Sequence, residues 1–236
     1  MAGYSGRTVL VTGSRRGVGK LIADHFLAEG AAVIGFAKGE TTIDHAAYQH
    51  VQVDLAEPAS ISTAFSALRK TTASVDIVVN NAAVLTSQYA MIMPPGAAQA
   101  MVNVNLLAPF LVSREAAKMM RKTKWGRIIN IGSMAASLEP IGDSMYAATK
   151  AGLSTLTNVM AKEFGAMNVT CNTLAITAMD TAMLSQLPRD KIEAIIAGLP
   201  IPRFAEPDDI LNIIDFFASD RSSYITAQTI FMGGVN

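Results

Sequence analysis

The sequence predicts a doubly wound α/β domain, a seven-stranded parallel sheet covered by helices on both faces. Short apolar runs alternate with longer amphipathic stretches along the whole chain, the pattern of strands joined by helical crossovers. Apolar, β-branched residues surround Asn130 in the run Ile128–Ile131, as suits a strand buried on both faces. A glycine-rich turn stands between the first strand and the first helix, where such folds bind nucleotides. No repeat, linker or low-complexity tract interrupts the 236 residues, so residues 1–236 are read as a single domain.

Taken in order, the first strand is Thr8–Val11 and the first helix Gly19–Glu29, with the glycine turn between them. Ala32–Phe36 and Val51–Val53 read as the next two strands, followed by a helix over Ala59–Lys70. A strand at Ile77–Val79 leads to a long helix over Ala98–Arg121, and Ile128–Ile131 to another over Ser144–Phe164. Val169–Leu174 is the sixth strand. A broken helical pair over Thr181–Ala197, a helix over Asp208–Ser219 and a last strand at Thr229–Met232 complete the chain.

The chain is organised around the stretch from Ile128 to Gly152. Ser133 leaves the strand end there, and Tyr146 and Lys150 enter the following helix four residues apart, which puts them on one helical face. A tyrosine is a poor acid or base near neutral pH, and an adjacent ammonium favours its phenolate and lowers its pKa. Tyr146 would then exchange a proton with an alcohol or ketone, while Ser133 holds the same oxygen. Taken alone, the pair also reads as an ordinary surface couple on an alanine-rich helix.

The turn after the first strand comprises Gly13, Ser14, Arg15, Arg16, Gly17, Val18 and Gly19, with Thr12 before it. Glycines allow a tight turn and close approach to a pyrophosphate, whose charge is held at the helix N-terminus. A purely structural turn is the alternative. The second strand ends Gly35-Phe36-Ala37-Lys38-Gly39 without an acid, although Glu40 follows. Arg15, Arg16 and Lys38 therefore suggest a basic cup for a ribose 2′-phosphate, hence NADP(H) in preference to NAD(H). Solvated surface charge is the plainer reading of each.

Composition narrows the classes. Nineteen basic and nineteen acidic residues without a basic block speak against nucleic acid. The N-terminal sequence does not read as a signal peptide and no run approaches the length of a membrane span, so a cytoplasmic protein is expected. The single cysteine, Cys171, reads as a reduced core residue, and His25, His45 and His50 lack metal-ligand spacing, so no metal site is expected.

Across essentially its whole length the chain resembles the short-chain dehydrogenase/reductase family, a Rossmann-type fold. The turn Thr12 to Gly19, the Asp54-Leu55 pair after the third strand, and Asn80-Asn81-Ala82-Ala83 match its cofactor motifs, with Ala83 replacing a glycine. Asn105, Ser133, Tyr146 and Lys150 match its active-site tetrad. GRIINIGS, YAATKAG and YITAQT look most like 3-oxoacyl-thioester reductases. The resemblance implies Asp54 and Leu55 beside the adenine, Asn81 and Ala82 along the dinucleotide, and Ile176 and Thr181 near the nicotinamide. Ile176-Thr177 replaces the usual Pro-Gly there. It also implies that Lys150 lowers the Tyr146 pKa and binds the nicotinamide ribose, and that Asn105 anchors a water-linked proton path. Pro109, lacking an N–H, would leave the Asn105 carbonyl free to do so; a proline that merely bends the helix is the alternative.

An apolar pocket wall is expected from Val84, Leu85, Met134, Ala135, Ile141, Met145, Met183 and Leu184. The expected activity is NADPH-dependent reduction of a ketone such as a 3-oxoacyl thioester. Oxidation of a secondary alcohol or sugar, and a nucleotide-binding regulator without turnover, are the other readings. The family's helix pairing implies a homotetramer. An acyl carrier protein is a doubtful partner: of the two basic docking positions at the active-site mouth that the resemblance implies, Lys124 fills one and Met167 the other.

Overall fold

The computed structural model describes residues 3–179 and 189–235. Among them, seven strands form one sheet in the order β3-β2-β1-β4-β5-β6-β7, and every neighbouring pair is parallel. The strands are β1 (Thr8–Thr12), β2 (Ala32–Ala37), β3 (Tyr48–Gln52), β4 (Ile77–Asn80), β5 (Gly126–Ser133), β6 (Val169–Ile176) and β7 (Thr229–Phe231). Six agree with the sequence reading to within two residues at each end. The edge strand β3 starts three residues earlier than expected, because polar Tyr48, Gln49 and His50 pair with β2. Partial exposure on an edge removes the apolar signal by which the other strands are found.

The helices are α1 (Gly17–Ala28), α2 (Pro58–Thr71), α3 (Pro95–Val102), α4 (Ala108–Thr123), α5 (Ala135–Leu138), α6 (Ser144–Phe164), α7 (Arg189–Ala197) and α8 (Pro207–Ala218). Proline in the first turn, where its missing N–H is harmless, starts α2, α3 and α8. At α8 the Asp209 carboxylate also accepts the Glu206 N–H at 2.8 Å. The expected helix over Ala98–Arg121 is α3 and α4 joined by a π-helical turn, Asn103–Leu107, whose widened ring is closed by the Ala108 N–H on the Asn103 carbonyl. The short helix α5 was not anticipated, and residues 180–188 of the expected helical pair lie outside the described residues.

The run Pro95–Thr123 is long and apolar enough to cross a membrane by length and composition alone. Its Ala108, Val112, Ala116, Met119 and Met120 are instead buried against the sheet. They belong to one of two apolar layers, in which Phe65 and Leu68 of α2 and Met160 of α6 pack on β4 and β5. The other face carries α1 and α8 through Ile22, Phe26, Ile210, Ile214 and Phe217. A fully buried Val, Leu, Ile or Phe contributes about 1.5–3 kcal/mol, so these two layers hold the sheet rigid. Cys171 sits in the first layer, where burial pushes its thiol up to about 12, as expected of an inert core cysteine.

The chain reverses its winding between β1 and β4, which are neighbours in the sheet. At such a switch point the loops leaving the strands' C-terminal ends part and open a crevice.

Candidate active site

A cleft of about 850 Å³ opens at those C-terminal ends, lined by residues at or just after the ends of six of the seven strands. One end is floored by the glycine-rich turn. Gly13 has φ +70°, and a Cβ on Gly19 would lie 2.3 Å from the Gly13 carbonyl oxygen, so neither position tolerates a side chain. Thr12 Oγ1 accepts the N–H groups of Asn81 (3.0 Å) and Ala82 (3.1 Å), and Asn81 Nδ2 donates to the Thr12 carbonyl at 3.0 Å. These bonds tie the turn to the end of β4. The N-terminus of α1 has no side-chain cap and no acid in its first turn, so its N–H groups and dipole face the cleft without a protein anion. A pyrophosphate fits that donor set, and the residues present suit a dinucleotide.

Gly13, Arg15, Arg16, Gly17, Val18, Lys38, Asp54, Leu55, Asn81, Ala82 and Ile176 all line the cleft, as the sequence reading placed them. Two do not. Ser14 is wholly buried and turned away, and Gly19 lies behind the turn as a packing position, so any contact from Ser14 to a cofactor is limited to its backbone. Thr181 lies outside the described residues. β2 ends without an acid of its own, as read, but an acid reaches that end from the neighbouring strand. Asp54, following β3, reaches across and binds Lys38, Nζ to Oδ2 at 2.7 Å. That bond and the Ala56 N–H hold the Asp54 carboxyl below the usual carboxylate range. Sequence distance hid this pairing because the two strands are joined by a loop of ten residues, 38–47.

The other end of the cleft carries Ser133, Tyr146 and Lys150. Ser133 ends β5, and its hydroxyl also accepts the Ala135 N–H at 3.2 Å. Lys150, 3% exposed, donates from Nζ to the Ile131 carbonyl at 2.7 Å, and Nζ lies 5.9 Å from the Tyr146 ring centroid. Burial pulls the Lys150 ammonium down to about 8. The Tyr146 phenol is pushed up, first by burial and further by the Asp143 carboxylate, while the facing Ser133 hydroxyl pulls the other way. The expected lowering by Lys150 is not among the influences on this phenol: burial is the largest, and the Lys150 ammonium donates to the Ile131 carbonyl.

Asn105 is buried within the π-helical turn rather than on the cleft wall. Its carboxamide accepts the Val84 N–H (2.8 Å) and donates to the Val84 carbonyl (2.9 Å) and to Thr149 Oγ1 (3.3 Å). Thr149 in turn donates to the Tyr146 carbonyl at 2.8 Å, so Asn105 joins the cleft wall to the helix that carries the tyrosine. The expected helix irregularity is present just before Pro109, in the form of the π turn.

Of the expected apolar wall, Val84, Leu85, Met134 and Ala135 line the cleft. Ile141 is 76% exposed, and neither it nor Met145 reaches the lining; Met183 and Leu184 lie outside the described residues. The reading missed Leu138, Pro140, Ile192 and Ile195. It also missed Asp143, although three residues before Tyr146 is a same-face helical spacing. Lys124 and Met167 were expected at the mouth. They precede the N-terminal ends of β5 and β6, whereas Ser133 closes the C-terminal end of β5. Seven strand residues at about 3.3 Å each put them roughly 23 Å below the site of their own chain. Among the described residues no cluster of His, Cys, Asp or Glu is arranged to hold a metal.

A family model described as enoyl-(acyl carrier protein) reductase matches residues 13–236. The 3-oxoacyl-[acyl-carrier-protein] reductase of Escherichia coli strain K12 is 33% identical over 237 residues, covering 98% of this chain and 97% of that protein. The reductase of the same description from Aquifex aeolicus is 31% identical, covering 97% and 96%. Among solved structures, a gluconate 5-dehydrogenase from Burkholderia cenocepacia in complex with NADP and tartrate superposes with a TM-score of 0.90 at 27% identity, covering 98% of this chain and 94% of that one. A putative gluconate dehydrogenase from Agrobacterium tumefaciens gives 0.90 at 28% identity, covering 98% and 96%. By sequence, fold and match of the family model, this chain belongs to the short-chain dehydrogenase/reductase family and is an NAD(P)-dependent oxidoreductase acting on CH–OH and C=O groups.

Proposed function

We propose that this protein is an NADP(H)-dependent carbonyl reductase whose substrate is a ketone of the 3-oxoacyl-thioester kind, working through Ser133, Tyr146 and Lys150. The observation that carries this reading is geometric: Ser133, Tyr146 and the buried, carbonyl-bound Lys150 meet at one end of a cleft continuous with the dinucleotide turn. Burial keeps the Tyr146 phenol in its proton-donating form, facing Ser133. The nicotinamide, when bound, supplies the hydride in reduction or takes it in oxidation. Ser133 Oγ holds the substrate oxygen, and Tyr146 gives it a proton as the carbonyl becomes an alcohol. The buried Lys150 ammonium holds the ribose beside the tyrosine and stabilises the phenolate that the transfer leaves behind. Asn105 fixes Val84 and, through Thr149, the helical turn bearing Tyr146; its main-chain carbonyl at the π turn anchors the path by which the phenol is reprotonated. Val84, Leu85, Met134 and Leu138 give the substrate end an apolar wall that suits an acyl chain.

Arg15, Arg16 and Lys38 supply the positive charge for a 2′-phosphate, with Asp54 standing against Lys38 as a partial counterweight. A second reading, oxidation of a secondary alcohol or polyol acid, is favoured by the gluconate dehydrogenases among the structural neighbours. A small or coenzyme-type thioester serves as well as a carrier-bound one in our reading, because Lys124 and Met167 do not rim this chain's own cleft. A cytoplasmic location accords with this chemistry.

The test is a panel of 3-oxoacyl thioesters, simple ketones, secondary alcohols and sugar acids assayed at the nicotinamide absorbance with NADPH or NADP⁺. Turnover of 3-oxoacyl thioesters at a kcat/KM well above that for any alcohol supports the proposal. Preferred oxidation of a sugar acid establishes the second reading in its place, and no turnover with any substrate, alongside tight dinucleotide binding, replaces both with a regulatory role.

A further inference from the structure

The buried serine of the glycine-rich turn leads to a feature that the proposed mechanism does not use. Ser14 Oγ lies 2.9 Å from Tyr48 Oη, Tyr48 Oη lies 3.2 Å from His50 Nδ1, and His50 Nε2 lies 2.8 Å from the Gly39 carbonyl oxygen. The Gly39 carbonyl only accepts, which places a proton on Nε2, and the tautomer so assigned has Nδ1 as the acceptor. Tyr48 must then donate to His50, and Ser14 to Tyr48. The chain of three bonds runs in one direction, from the turn after β1, across β2, to the loop after β2.

Its route requires Gly35. A Cβ there would fall 1.9 Å from Tyr48 Oη and 2.3 Å from Ser14 Oγ, so the strand between the turn and β3 leaves the space that the hydroxyls occupy. The far end of the chain is equally constrained. Gly39 follows Lys38, and a Cβ on Gly39 would lie 3.0 Å from an Arg15 guanidinium nitrogen, so Arg15 rests directly on it. Thr42 Oγ1 donates to the Arg15 carbonyl at 2.6 Å, fastening the same loop to the same turn.

We infer that Ser14, Tyr48 and His50 are positioning residues that lock the glycine-rich turn to the loop after β2. They thereby set the spacing of Arg15 and Lys38 for the phosphate-bearing ribose of the dinucleotide. The inference rests on the NADP(H) reading above. None of the three side chains lines the cleft, so they act through the backbone and through Arg15 and Lys38 rather than by touching the cofactor.

Tyr48→Phe keeps the ring and removes the central hydroxyl, leaving the Ser14 hydroxyl and His50 Nδ1 without their partners. The dissociation constant for NADP(H) should rise about tenfold, the scale of one lost buried hydrogen bond, while kcat at saturating cofactor stays within about twofold. Ser14→Ala gives the same direction with less disturbance and serves where Tyr48→Phe folds poorly. In the double variant Ser14→Ala/Tyr48→Phe the loss should be no larger than in Tyr48→Phe alone, because the two hydroxyls act as one unit. Unchanged NADP(H) affinity in folded single variants, or fully additive losses, would overturn the inference. The wild type separates the two levels of argument. Equal affinity for NADP(H) and NAD(H) would overturn the cofactor reading, and the positioning role would then stand or fall on whether Tyr48→Phe weakens both dinucleotides.

Discussion

Lys150 Nζ donates to the main-chain carbonyl of Ile131 at 2.7 Å, so the ammonium beside Tyr146 is held by the strand that ends in Ser133. A single carbonyl does not replace the water that the ammonium has lost. Its pKa falls from 10.5 to about 8, a cost to the fold of about 3 kcal/mol below pH 8, where the lysine is charged in both folded and unfolded states. Between pH 8 and 10.5 the folded state releases its proton first, the unfolded state binds more protons, and this contribution to stability rises with pH. Comparing wild type with Lys150→Met isolates the group. Urea unfolding at pH 7 and pH 9.5 should show the stability difference moving toward wild type by about 2 kcal/mol. A difference that stays flat or moves the other way contradicts the burial of this ammonium.

The same desolvation acts on Tyr146 with the opposite sign, favouring the neutral phenol. Ketone reduction, which uses the protonated form, should be level from pH 6 to 8. Alcohol oxidation, which uses the phenolate, should climb by up to about tenfold per pH unit with no plateau below pH 8. Tyr146→Phe should cut kcat by roughly 10²-fold or more in both directions while cofactor affinity stays near wild type. An oxidation profile that levels off below pH 7, or a phenylalanine variant that still turns over, would remove Tyr146 from the chemistry.

Lys38 is 80% exposed and joined to Asp54 at 2.7 Å, so its charge is shared between the acid and any 2′-phosphate. We expect wild type to bind NADP(H) at least about tenfold tighter than NAD(H), and Lys38→Ala to erase most of that ratio by weakening NADP(H) alone. Titration by cofactor fluorescence checks it. Equal losses for both dinucleotides would show that Lys38 supports the loop and does not read the phosphate.

The expected homotetramer rests on apolar side chains left outside the two core layers. Phe110 on α4 is 36% exposed and Val159 on α6 is 47% exposed, and on the far side Phe204 is 41% and Phe216 is 46% exposed. Two separate apolar surfaces suit an assembly with twofold axes. Light scattering at micromolar concentration should give four times the chain mass, and a monomer mass would refute the expectation.

What was legible in the sequence follows from how each feature is encoded. Buried strands such as β5 announce themselves through their β-branched apolar residues, here Ile128, Ile129 and Ile131, even though Arg127, Asn130 and Ser133 are buried in the same strand. Tyr146 and Lys150 were legible because a helix converts a spacing of four into a shared face. Asp54 against Lys38, and Ser14 against Tyr48 and His50, were not, because strand pairing decides who meets across a loop and no local spacing records it. The upward shift of the Tyr146 phenol is not legible for a related reason: sequence shows that Lys150 is near but not how much water the tyrosine loses, and burial is the largest influence on it in the folded chain.

Beneath the active site a buried polar ladder crosses the sheet where an apolar core would be expected. Asn80 Nδ2 on β4 donates to Ser113 Oγ at 2.9 Å and to Asn130 Oδ1 at 2.7 Å; Asn130 Nδ2 on β5 donates to Thr157 Oγ1 at 2.7 Å. Thr173 Oγ1 on β6 joins the same hydroxyl at 2.9 Å, and Thr157 donates onward to the Leu153 carbonyl at 2.7 Å. Asn130 is the middle rung, three residues before Ser133, and it links β4 to the helix that carries Tyr146 and Lys150. Asn130→Val leaves the Asn80 amide and the Thr157 hydroxyl each one partner short in a dry layer. Each such loss costs about 1–3 kcal/mol, so the variant should be destabilised by roughly 2–4 kcal/mol in urea unfolding. If the ladder also sets the separation of Ser133 from Tyr146, kcat should fall more than cofactor affinity, since the glycine-rich turn hangs from β1 and Asn81 and not from Asn130. A variant as stable as wild type, with unchanged kcat, would show the ladder to be replaceable by apolar packing.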